Sequence, residues 1–348
     1  MAKSNPLEFL RQVRIELNKV VWPSRNETLI STIMVLVMVL LGGVTRLTHS
    51  GLSMVEWRPV TGWLPPLDES QWRAVFERYQ QSPEFRKVNA HMDLAGFKSI
   101  FWLEFLHRLW GRIIGVVFFL PFVFFWMRGW LDRTLARKLA IMFVLGGLQG
   151  LMGWYMVKSG LIERPDVSQY RLVAHFGLAL VIIGYMQWVA LALLFPAGRT
   201  NLGRFATILA GLALLTALSG GFVAGLDAGF AYNTFPLMDG SILPAGLYGT
   251  SPWYLSAFED ILTVQFNHRL LALSLAALVM VFWLKGRYLV LPSRSRLAVN
   301  VLAGVILVQV VLGITTLLLV IPVPLATAHQ AGAVFVFMAA LWTARELR

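Results

Sequence analysis

Glu104-Phe-Leu-His107-Arg108-Leu-Trp-Gly-Arg112 lies inside one apolar run, and Gln265-Phe-Asn267-His268-Arg269 lies inside another, 161 residues further on. Each sets a histidine and an arginine side by side in a segment that otherwise has the composition of a hydrocarbon-facing helix. Other landmarks recur in the same order: Gly42-Gly43 and Gly220-Gly221 at an offset of 178, Gln149-x-x-x-Gly153 and Gln309-x-x-x-Gly313 at 160, Ala174-His175 and Ala328-His329 at 154. A near-constant offset across half a chain is the signature of an internal repeat.

The rest of the chain has the character of the two quoted segments. Hydrophobic residues make up 57% of its 348 positions and charged residues 14%, with a mean hydropathy of +0.66. That leaves too little polar surface to cover a soluble globule of this size. A spanning helix needs roughly 20 mainly apolar residues, and such runs fall near 28–47, 99–127, 139–158, 171–195, 204–224, 261–284, 297–320 and 326–344. The expected fold is an all-α integral membrane protein of eight transmembrane helices, arranged as two four-helix bundles related by a pseudo-twofold axis along the membrane normal. The N-terminal bundle covers 28–195, with a long outer loop at 48–98, and the C-terminal bundle covers 204–344.

The net charge of +12 is spread in short clusters between apolar runs and forms no single face. A nucleic-acid partner is therefore not expected. With the N-terminus in the cytoplasm, one side collects Lys3, Arg11, Arg14, Lys19, Arg25, Arg128, Arg133, Arg137, Lys138, Arg199, Arg204, Lys285, Arg287, Arg294, Arg296, Arg345 and Arg348. The positive-inside rule makes that side cytoplasmic and puts both termini there. Residues 1–27 read as a charged amphipathic stretch on the membrane surface, without a cleavable signal peptide.

In this topology His107, His175, His268 and His329 sit on the second, fourth, sixth and eighth spans, all running inward, and all near the outer ends. A lone histidine in an apolar helix is usually hydrogen-bonded glue between helices. Four at matched depth are different, because an imidazole is costly in hydrocarbon and marks function. Two imidazoles from facing helices reach opposite faces of one planar haem, so the repeat predicts two haem sites. A closed zinc site wants more ligands than each half offers, and the chain has no cysteine, which excludes thiolate ligation, iron–sulfur clusters and disulfides. His49 and His91 lack counterparts in the second half and read as surface residues.

The halves differ at one telling position. Glu104 stands three residues before His107, on the same helical face, whereas the corresponding residue of the second half is Gln265. A buried carboxylate is costly unless paired or protonated, and with a raised pKa it can move protons; alternatively it forms a salt bridge with Arg108 or Arg112. Arg108, Arg112 and Arg269 are intramembrane cations able to meet haem propionates.

Gly42-Gly43-Val-Thr45-Arg46-Leu-Thr48, Ser50-Gly51-Leu52, Glu56-Trp57-Arg58-Pro59-Val-Thr61-Gly62, Glu104-x-x-His107-Arg108, Asn267-His268-Arg269 and the His175 and His329 segments together resemble the haem A synthase family, over residues 41–345. The long first loop and the missing cysteines resemble its proteobacterial and mitochondrial branch. The resemblance implies oxidation of the C8 methyl of haem O to a formyl group, through hydroxymethyl and geminal-diol stages, to give haem A for terminal oxidases. It implies that His107 and His175 flank the substrate haem, that Glu104 is the catalytic or proton-handling acid, and that His268 and His329 ligate a haem b cofactor, with Arg108 and Arg269 as further haem contacts. The implied partners are a haem O synthase, a quinone or other electron acceptor, membrane lipid and a second copy of the chain. The implied location is the bacterial inner membrane, with the haem sites towards the outer side. The competing reading is a cytochrome b-type electron carrier that modifies neither haem. Separately, Phe9-Leu-Arg-Gln-Val-Arg14 and Lys19-Val-Val-Trp22-Pro23-Ser24-Arg25 resemble the SecE subunit of the protein translocase, read here as a first membrane anchor.

Overall fold

A computed structural model describes residues 25–160, 166–195 and 200–348. The SecE-like leader expected over 1–27 falls, up to residue 24, outside the described residues. Among those described, the fold is helical, without a strand longer than an isolated bridge between Met238 and Ser241.

The long helices are α1 (Arg25–Leu47), α4 (Leu94–Met127), α5 (Arg133–Gly160), α6 (Gln169–Leu194), α7 (Gly203–Gly225), α9 (Ile261–Arg287), α10 (Ser293–Leu318) and α11 (Val323–Leu347). The short helices α2 (Glu69–Gln80) and α3 (Pro83–Lys87) lie between α1 and α4, and α8 (Ser256–Glu259) precedes α9. Seven of the long helices, α4 to α7 and α9 to α11, are long and apolar enough to cross a membrane, and α1 holds a shorter apolar stretch, Met34–Leu47. The chain is a multi-pass membrane protein.

The helix starts carry their own signals. Asp93 accepts a hydrogen bond from Gly96 N at 2.8 Å and so caps α4, which begins five residues before the apolar run that announced it. Asp260 caps α9 in the same way through Thr263 N at 2.8 Å. Each cap contributes about 1 kcal/mol and fixes the phase of a helix that carries a histidine. The region expected as one long loop, 48–98, is partly helical: Asp68 caps α2, and Ser82 with Pro83 at the first position starts α3. Trp72 and Tyr79 from α2 pack with Phe97, Ile100, Phe101 and Phe105 of α4 as a separate aromatic cluster.

The main core belongs to the second half. Leu209, Val279, Phe282, Leu302, Val334 and Leu347 are almost fully buried where α7, α9, α10 and α11 meet. Helix α11 also packs against α1 and α6, and α6 against α7, which ties the two halves together. By contrast α4 past Phe105 and most of α5 keep apolar side chains exposed, among them Leu120, Val144 and Leu151. In a membrane protein, lipid covers such faces.

Candidate functional site

Each of the four histidines lies against a glycine of the long helix preceding its own. A Cβ at Gly42 would stand 3.1 Å from His107 Cε1, at Gly153 3.2 Å from His175 Cε1, at Gly220 3.0 Å from His268 Cε1 and at Gly313 2.8 Å from His329 Cε1. Real Cβ atoms rarely tolerate such separations, so glycine is what lets each imidazole edge rest on the neighbouring backbone. The sequence displays these glycines as repeat landmarks; that each one seats a histidine emerges only from the packing.

The glutamines of the repeat have a matching task. Gln149 and Gln309 lie one turn before Gly153 and Gly313, on the same helical face. Gln149 Nε2 donates to the His175 carbonyl at 3.0 Å, and Gln309 Nε2 to the His329 carbonyl at 2.9 Å. One helix thus gives each of these histidines a flat seat for its ring and a donor for its backbone. Gln149 Nε2 also stands 3.3 Å from both ring nitrogens of His175.

In the second half the rings of His268 and His329 have centres 6.4 Å apart and planes at 86°. Two metal–imidazole bonds of about 2 Å each, with each ligating nitrogen about 1 Å from its ring centre, would separate the centres by about 6 Å if the two nitrogens faced each other. The pair therefore fits bis-imidazole ligation of a haem iron. Among the described residues, no three His, Asp or Glu side chains gather as a metal site. Ser219 Oγ lies 2.8 Å from His268 Nδ1, whereas the Nδ1 atoms of His107 and His329 are buried without a hydrogen-bond partner.

Glu104 is buried, and its Oε1 accepts from Arg108 Nε at 2.5 Å. Of the two salt bridges expected for it, the Arg108 one forms. Arg112 instead donates to Arg58 O at 2.9 Å and Pro59 O at 3.2 Å. Arg108 also donates to Glu56 O and Met54 O, both at 3.0 Å. Arg269 matches it, donating to Tyr232 O at 2.6 Å, Thr234 O at 2.9 Å and Gln265 Oε1 at 3.0 Å. Both arginines clasp the connection that precedes their helix, and Arg269 keeps a buried Nε without a partner. His49 and His91 are exposed.

Apolar spanning helices, four histidines each seated on a glycine of the preceding long helix, and a buried carboxylate beside only one of them define a multi-pass membrane protein whose two halves share their histidine seats and differ at Glu104. The chain belongs to the COX15-CtaA family of cytochrome oxidase assembly proteins, whose family model matches residues 25–341. It is 54% identical over 322 residues to the heme A synthase of Nitrosospira multiformis, covering 90% of both chains. It is 47% identical over 323 residues to the heme A synthase COX15 of Bos taurus, covering 89% of this chain and 78% of that one. The human heme A synthase COX15 is 46% identical over 323 residues, covering 89% and 79%. No solved structure matches the chain.

Proposed function

We propose that this chain is a haem A synthase that oxidises the C8 methyl group of haem O to a formyl group. The observation that carries the reading is the contrast at one position of the repeat: buried Glu104 beside His107, against Gln265 beside His268. Family membership and the extent of identity to named heme A synthases support it throughout the chain.

In this reading the eight long helices all span the bacterial inner membrane, as two four-helix bundles related by a pseudo-twofold axis, with both termini cytoplasmic and the histidines towards the outer side. The recurrence of the glycine seat for all four histidines supports the repeat. His107 and His175 flank the substrate haem, and His268 and His329 ligate a haem b. When bound, that haem b supplies a one-electron redox centre. Arg108 and Arg269 hold the connecting segments over the two sites; their forks have more N–H donors than those contacts use, and the buried Nε of Arg269, which has no partner, supports its role as a propionate contact.

Conversion of methyl to formyl is a four-electron oxidation; with water supplying the oxygen atom it releases four protons, and the four electrons pass to the acceptor. Glu104 is the proton-handling group: Arg108 fixes its Oε1, leaving Oε2 to take and return protons. Burial strengthens this exchange, since few water molecules compete for the proton. The partners in this reading are a haem O synthase that supplies the substrate, a quinone or another electron acceptor, and a second copy of the chain.

The test is haem extraction with chromatography and mass spectrometry after co-expression with a haem O synthase. Haem A is expected from the intact protein and not from Glu104→Ala or His107→Ala. Haem b alone in every sample, with haem O unchanged, would replace this reading with that of an electron carrier.

A further inference from the structure

The two histidines that follow the paired glycines are held differently. Ser219 lies immediately before Gly220, the seat of His268, and its Oγ is 2.8 Å from His268 Nδ1 and 2.7 Å from Thr216 O. A carbonyl oxygen only accepts, so the single hydroxyl proton of Ser219 goes to Thr216 O. The remaining interaction at Oγ is then an accepted one, and the proton lies on His268 Nδ1. Nε2 is left as the bare nitrogen, which is the tautomer a metal requires.

At the same offset of 178 that relates Gly220 to Gly42, the residue before Gly42 is Leu41, which has no hydroxyl. His107 Nδ1 is correspondingly buried without a partner. We infer that Ser219 is a positioning residue that locks His268 as an iron ligand, the one such lock of its pair because His329 Nδ1 has no partner either, and that leucine at position 41 leaves His107 without that lock, so that the haem it meets can enter and leave. This rests on the assignment of haem b to the second half and haem O to the first. A hydrogen bond donated by Nδ1–H to Ser219 Oγ orients the ring and makes Nε2 a stronger ligand, which favours the ferric state and slows haem loss.

The experiment uses the full-length protein in detergent, with haem b followed by its low-spin absorbance. Two quantities are read: the rate of haem transfer to apomyoglobin and the midpoint potential. Loss of the low-spin signal in His329→Ala verifies the second-half assignment; an unaltered signal there overturns that assignment and this inference with it. With the assignment verified, Ser219→Ala is expected to lose haem b about ten- to a hundredfold faster and to show a more positive potential, while Ser219→Thr, which keeps the hydroxyl, restores both. Leu41→Ser is expected to co-purify with more haem O or haem A than the unaltered protein. Unchanged transfer rate and potential in Ser219→Ala overturn the lock, as does a Ser219→Thr variant that behaves like Ser219→Ala.

Discussion

Glu104 and Arg108 form an ion pair at 2.5 Å whose side chains are only 5% and 7% exposed. The same guanidinium holds Met54 O and Glu56 O, so the carboxylate beside His107 is also the anchor of the connection that follows α1. Two variants separate these duties. Glu104→Gln reproduces the Gln265–Arg269 arrangement, keeps an acceptor for Arg108 and removes the ionisable group. Haem content is expected to persist while haem A formation falls about a hundredfold or more, read by chromatography of extracted haems.

Glu104→Ala, in contrast, strands a buried cation. Loss of one partner of such a pair costs about 3–5 kcal/mol, so this variant is expected to lower the thermal midpoint in detergent as well as activity. Equal thermal midpoints for Glu104→Ala and Glu104→Gln would contradict the anchoring role of the pair.

The glycine seats predict a ranked series. Alanine at Gly313 would bring Cβ within 2.8 Å of His329 Cε1, at Gly220 within 3.0 Å of His268, and at Gly153 only within 3.2 Å of His175. Overpacking costs about 1–3 kcal/mol and here displaces a ring. Gly313→Ala is expected to lose most low-spin haem, Gly220→Ala less, and Gly153→Ala to leave the second site unaffected, as measured by absorbance per mole of protein.

Much of this arrangement is legible in the chain before any coordinates. Apolar runs mark the seven helices long and apolar enough to cross a membrane and the shorter stretch in α1, and the repeat marks the four histidines that lie against glycines, because both signals are local or periodic. The start of α4 was missed by five residues since the apolar run begins after the Asp93 cap, in a stretch that includes Lys98. Helices α2 and α3 occupy a stretch whose polar composition suggests loop, although Asp68 and Ser82-Pro83 are helix-start signals within it. The pairing of Gly42, Gly153, Gly220 and Gly313 with histidines was not legible, because it depends on how neighbouring helices face each other. Arg108 and Arg269 were read towards propionates, and their hold on loop carbonyls depends on where the connections fold back.

Outside the spanning helices, Glu84 of α3 is 2% exposed and its Oε2 has no partner. Burial pushes its pKa up to about 7, against a lowering contribution from the Tyr79 hydroxyl, with the charges of Asp166 and Glu104 adding to the rise. A carboxyl raised in the folded state stabilises fully below its ordinary value of 4.5, and that contribution is lost as pH rises through about 7. The swing is about 3 kcal/mol. Thermal midpoints measured from acidic to neutral pH are expected to fall for the unaltered protein and to stay flatter for Glu84→Gln.

The halves do not tolerate the reverse exchange. Gln265 Nε2 donates to Ala228 O at 2.9 Å and Ala231 O at 2.7 Å, while its Oε1 accepts from Arg269. A carboxylate at this position offers acceptors only, so Gln265→Glu would set an oxygen against two carbonyl oxygens and leave both without their donor. Each buried acceptor left unsatisfied costs about 1–3 kcal/mol, and the segment Ala228–Phe230 would lift from α9. Gln265→Glu is therefore expected to lose haem b and thermal stability together, whereas Glu104→Gln loses turnover with its fold intact. If Gln265→Glu instead retained haem b and gained haem O oxidation in a Glu104→Gln background, the carboxylate would be interchangeable between the halves, and the different roles assigned to them would not stand.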